Sequence, residues 1–92
     1  MSHHSPKPAP PAELVKLGDT LREATDTIKL LNQRKRSASF KHLSAYSKNL
    51  WETEMEKATE QQMETLMKIT ELAVDNKVDM ALVEALVKRS TR

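Results

Sequence analysis

The sequence predicts an all-α fold, and three observations carry that expectation. Gly occurs once and the aromatics number three, Phe40, Tyr46 and Trp51, too few turn glycines and strand-forming residues for a β-sandwich or barrel. The composition is rich in Leu, Ala, Glu, Lys, Met and Gln, all good helix formers. Apolar residues recur at helical spacing, three and four apart, over most of the chain. With 92 residues, 38% of them hydrophobic, the chain is one small domain with a modest core.

The chain opens on MSHHSPKPAPP, four prolines in eleven residues. Residues 1–10 read as a disordered tail sampling polyproline II, and residues 11–90 as a single helical domain. Pro8-Ala9-Pro10-Pro11 has a PxxP outline but lacks the basic residue at fixed spacing that an SH3-type groove recognises. Ser2-His3-His4, after Met removal, has the form of an N-terminal Cu(II) or Ni(II) chelate, a pattern this short being better explained by chance.

The first helix is expected over residues 11–35, with Pro11 at a first-turn position where a missing N–H costs nothing. Leu14, Leu17, Leu21, Ala24, Ile28 and Leu31 follow at spacing 3-4-3-4-3, an unbroken heptad seam. Lys35 takes the next seam position, so the stripe ends where the basic run starts. Gly18 costs roughly 1 kcal/mol against Ala in a helix interior, and a close helix contact would be its structural use.

A break follows in RKRSASFKH, marked by loss of the seam and by two candidate N-caps, Ser37 and Ser39. The second helix is expected over residues 40–75. Its apolar face runs from Phe40, Leu43, Tyr46 or Ser47 and Leu50 through Trp51, Met55, Ala58, Gln62 and Met63 to Leu66, Ile69 and Ala73. That face is dilute across ETEMEKATEQQ, as where polar layers fix register. Met55, Met63, Met67 and Met80 read first as adaptable core filler, with a Met-rich binding surface as the alternative. VDNKVD ends the helix, with Asn76 as the left-handed residue and Asp79 as N-cap of a third helix over residues 79–89. Val78 and Val83 have hydrophobic-staple spacing across that cap. Ala81, Leu82 and Leu86, with Val83 and Val87 beside them, form the third helix's buried side.

At 1.5 Å per residue the three helices span roughly 36, 54 and 15 Å. The economical packing sets the first helix against the first half of the second, and the third against its last quarter. Such a layer completes a bundle by pairing with a second copy, or with another helical protein. Leu14, Leu17, Leu21, Ile28, Leu31, Leu66, Ile69, Leu82 and Leu86 are the expected interface residues.

Catalytic chemistry has no motif to rest on: no Gly-rich phosphate loop, Ser–His–Asp pattern or HExxH is present, and no cofactor or small-molecule substrate is implied. Cysteine is absent, which removes disulfides and thiolate metal sites. Glu52, Glu56, Glu60 and Glu64 form one strip, but no Glu-x-x-His accompanies it and it opposes the apolar stripe, so it reads as a solvated acidic face. No apolar run has transmembrane length, and the expected setting is cytoplasmic, or nuclear in a eukaryote.

Charge distribution carries more than the net charge of +2. Residues 34–48 hold five basic residues, Arg34, Lys35, Arg36, Lys41 and Lys48, and no acid, whereas residues 52–64 hold five Glu against Lys57, a net of −4. The basic end reads first as a solvated hairpin tip. It also outlines a phosphate-contacting surface, with Phe40 or Tyr46 available for base stacking. Arg34-x-Arg36-x-x-Ser39 has the form of a basophilic kinase substrate, making Ser39 a candidate phosphorylation site. The acidic middle and the scarcity of large apolar residues argue against a lipid-surface role for these amphipathic helices. The leading expectation is a non-enzymatic helical interaction or oligomerisation module, an adaptor or assembly subunit. A small nucleic-acid-binding regulator using residues 34–48 is the alternative.

Overall fold

A computed structural model describes residues 12–92. The proline-rich tail, its PxxP outline, the Ser2-His3-His4 pattern and Pro11 lie outside the described residues. The regular elements are α1 (Ala12–Arg36), a 3-10 turn (Ala38–His42), α2 (Ala45–Asp75) and α3 (Met80–Ser90). The fold is all-α, with a long central helix and a short C-terminal one, as the composition and spacing imply.

α1 and α2 form an antiparallel hairpin. Two side-chain bonds fix its register: Gln62 Nε2–H donates to Thr25 Oγ1 at 3.1 Å, and Trp51 Nε1–H donates to the Leu31 carbonyl at 2.8 Å. Going up α1 therefore means going down α2. The expected division of α2 into one half for α1 and a last quarter for α3 is not what forms. Leu14 and Leu21 of α1 already share a buried cluster with Ile69 and Ala73 near the end of α2, and Val83 of α3 joins them. α1 thus accompanies α2 along most of its length, and three helices close one core at the base of the hairpin. Burial of these side chains from water is the main stabilising term.

Gly18 explains how α3 reaches that core. A Cβ at this position would lie 2.8 Å from Leu86 Cδ1 and 3.5 Å from Ser90 Oγ, so the missing methyl leaves the space into which Leu86 packs. The close helix contact is the use of this glycine. Arg22 Nη1–H donates to the Arg89 carbonyl at 3.0 Å, placing a cation on an unpaired carbonyl at the end of α3. With Leu86 seated this way, α3 is rolled so that Val83 and Ser90 are buried, whereas Ala81 and Leu82 face outward. The expected burial of Ala81 and Leu82 is corrected: successive helical residues are about 100° apart, and of Ala81, Leu82 and Val83 only Val83 turns inward.

The first junction also differs from expectation. The second helix does not begin at Phe40. Ser37 caps only the 3-10 turn, and α2 starts at Ala45 with Ser44 as its N-cap, whose side chain accepts from the Ser47 N–H at 3.2 Å. The reason is aromatic. Phe40 packs edge-on against Trp51, centroids 5.6 Å apart at 72°. Eleven residues along one straight helix would separate them by about 16 Å, so this contact requires the chain to turn back before α2 begins.

The second junction is a Schellman motif: Val78 N–H donates to the Ala73 carbonyl at 2.8 Å and Lys77 N–H to the Val74 carbonyl at 3.2 Å. The left-handed residue is Lys77, at φ 52°, one position after the expected Asn76. Val78 packs back on the core cluster that includes Val83, and Asp79 Oδ1 caps α3 through the Ala81 N–H at 3.0 Å. The Asp79 cap forms as its position implies.

Candidate functional site

Two surfaces collect the features that packing does not use. The first is the hairpin tip. Arg34, Lys35 and Arg36 form the last turn of α1, where cations suit the helix dipole, and all three are exposed. Lys35 Nζ lies 5.0 Å from the Trp51 ring centroid and Lys48 Nζ lies 6.0 Å from that of Phe40. Lys48 Nζ–H also donates to the Lys41 carbonyl at 3.5 Å, tying the start of α2 to the 3-10 turn. The tip is therefore one assembled unit of two aromatics in edge-to-face contact, each with an ammonium group beside its ring.

Beside it lies a cleft of about 370 Å³ with an apolar floor of Phe40, Leu43, Leu50 and Trp51. Its rim carries Arg34, Ser37, Ser39, Ser47 and one acid, Glu54. The expected phosphate-contacting residues Arg34, Lys35, Arg36 and Lys41 are exposed around this tip, with Lys48 half-buried. Ser39 is exposed, and its Oγ is 2.7 Å from Ser37 Oγ. Phe40 is not a free stacking platform, because Trp51 and Lys48 already occupy it. Tyr46, 73% exposed, remains open.

The second surface is the outer side of α2. Met63, Met67 and Val74 are 60%, 62% and 63% exposed, and with Thr70 they fall at spacing 4-3-4. This is a second heptad-like stripe, turned away from the core stripe of Ala58, Thr65, Ile69 and Ala73. The expected role of the methionines as core filler is corrected: Met63, Met67 and Met80 are exposed, and Met55 is half-buried. Met63 also leaves the expected apolar face of α2, since Thr65 faces inward and a residue two positions away lies about 200° around the helix.

The nine expected interface residues divide. Leu14, Leu21, Leu31 and Ile69 are buried within the chain itself, and Leu17, Ile28, Leu66 and Leu86 are half-buried. Only Leu82, 49% exposed, presents a large free surface. The seam thus closes inside the chain between α1, α2 and α3. Glu52, Glu56, Glu60 and Glu64 are exposed, and among the described residues no group of three or more His, Asp or Glu is arranged to hold a metal ion. No described helix is long and apolar enough to cross a membrane.

These features define a small all-α protein, a helical hairpin closed at its base by a third helix. No family model, curated protein or solved structure matches the chain.

Proposed function

We propose that the protein is a non-enzymatic helical assembly module that pairs with a second copy of itself through the outer side of α2. The observation that supports this is the Met63, Met67, Thr70, Val74 stripe, an apolar surface at heptad spacing on a helix whose opposite side is already packed. Two copies related by a two-fold axis, with their α2 helices antiparallel, set Met63 opposite Val74 and Met67 opposite Thr70. Such an isologous contact uses the same stripe on both copies. Methionine suits such a contact, because its flexible thioether fills irregular gaps. A cytoplasmic setting belongs to this reading.

Sedimentation equilibrium tests it. The expected result is a dimer at micromolar concentration that becomes a folded monomer on Met63→Gln/Met67→Gln substitution, with helical content retained. A wild-type chain that sediments as a folded monomer throughout that range overturns self-assembly.

A further inference from the structure

We infer that the hairpin tip is a docking surface for the anionic face of a lipid bilayer, approached end-on. Three observations converge. No Asp or Glu occurs between Asp26 and Glu52, a run that holds Lys29, Arg34, Lys35, Arg36, Lys41 and Lys48. Within the same tip, Leu43, Tyr46 and Leu50 are exposed, Tyr46 one turn before Leu50 on α2. Leu43, Leu50 and Arg34 share the cleft whose floor is Phe40 and Trp51. Cations and apolar side chains thus gather at one end of an elongated helical hairpin, with Glu54 the one acid that reaches the cleft rim.

An anionic bilayer is the partner that uses all of this. Its phosphate and carboxylate headgroups meet the cations, and its glycerol and acyl boundary takes Leu43, Leu50 and the Tyr46 ring, a placement aromatic residues favour. The Glu52, Glu56, Glu60 and Glu64 strip is repelled by the same surface, which turns the body of the hairpin away and leaves the tip facing the lipid. Helices lying flat would press those acids onto the headgroups; end-on contact does not. A nucleic acid would meet the same cations, but a phosphodiester backbone gives the exposed leucines nothing to bury against. The Phe40 and Trp51 rings are also occupied by each other and by Lys48 and Lys35, so they do not serve base stacking.

The experiment is co-sedimentation of the full chain with vesicles of phosphatidylcholine containing phosphatidylserine, beside vesicles of phosphatidylcholine alone. Binding is expected only to the anionic vesicles and weakens as salt is raised. Each cation contributes about fivefold to such partitioning, so Arg34→Ala/Lys35→Ala/Arg36→Ala should lower it about a hundredfold. Leu43→Ser/Leu50→Ser should lower it about tenfold with the cations intact, since less apolar area leaves water. Lys41→Glu, in the short turn and outside the core, is the check should the triple variant lose helical content, and it too should weaken binding. Three results overturn the inference: no co-sedimentation with anionic vesicles at low salt, unchanged binding by Leu43→Ser/Leu50→Ser, or tighter binding to single-stranded or duplex DNA than to the vesicles at equal salt.

Discussion

The indole N–H of Trp51 donates to the backbone carbonyl of Leu31 at 2.8 Å, joining residues 20 apart in sequence across the two arms of the hairpin. A carbonyl has two lone pairs, so this bond adds to the helical hydrogen bonding of α1 without displacing it. The same ring takes the edge of Phe40 and the ammonium of Lys35. One residue therefore sets the spacing of the arms, the position of the turn and part of the charge arrangement at the tip.

Trp51→Phe should remove the cross-hairpin bond while keeping an aromatic ring against Phe40. The expected cost is about 1 kcal/mol, the net worth of one intramolecular hydrogen bond. Urea unfolding followed by circular dichroism should show a lower midpoint at an unchanged slope.

The polar layer between Thr25 and Gln62 should behave as a coupled pair. Thr25 is buried, and among the described residues no buried side-chain polar atom lacks a partner. Removing Gln62 alone, as Gln62→Leu, strips the Thr25 hydroxyl of its partner. Thr25→Val/Gln62→Leu removes both and replaces them with apolar groups. A double-mutant cycle should give a coupling of about 1 kcal/mol, with the double variant more stable than the sum of the singles implies.

Gly18 should tolerate little. Gly18→Ala gains about 1 kcal/mol of helix propensity but brings a methyl against Leu86, and the two effects should nearly cancel. Gly18→Leu should push α3 off the base. Its signature is a smaller denaturant slope, because less surface is buried in the folded chain, together with a lower midpoint.

Lys77 holds a left-handed conformation, at φ 52°, that favours glycine. Lys77→Gly should stabilise the chain by about 1 kcal/mol through relief of that strain at the Schellman position. An unchanged or lower thermal midpoint would show that the backbone there carries no strain to relieve.

Much of this architecture was legible residue by residue. The 3-4 repeat from Leu14 to Leu31 located α1 and its inward side, and Asp79 located the start of α3. The misreadings share a cause, which is that tertiary contact chose among local options of equal merit. Ser37, Ser39 and Ser44 are all sound caps, and the edge-on packing of Phe40 against Trp51 decides which one starts the long helix. Leu82 and Val83 are equally apolar, and the gap at Gly18, by admitting Leu86, decides which faces in. Met63 and Met67 are apolar enough for a core, but Thr65, small and bonded to the Gln61 carbonyl at 2.6 Å, lets the arms approach and takes the inward place. At the tip the cations were evident in the sequence. Their company with exposed Leu43, Tyr46 and Leu50 was not, because it depends on where the turn falls.

The concentration of the core at the base has a dynamic consequence. Leu14, Leu21, Ile69, Ala73 and Val83 belong to the three-helix end, whereas the arms toward the tip bury chiefly Ala24, Thr25, Leu31 and Ala58. Cooperative stability is thus graded along the long axis, and amide hydrogen exchange should be slowest near Ile69 and fastest from Arg34 to Ser47. The charged end is thus the end expected to open first. Early amide exchange there, with the base still protected, is the expected pattern.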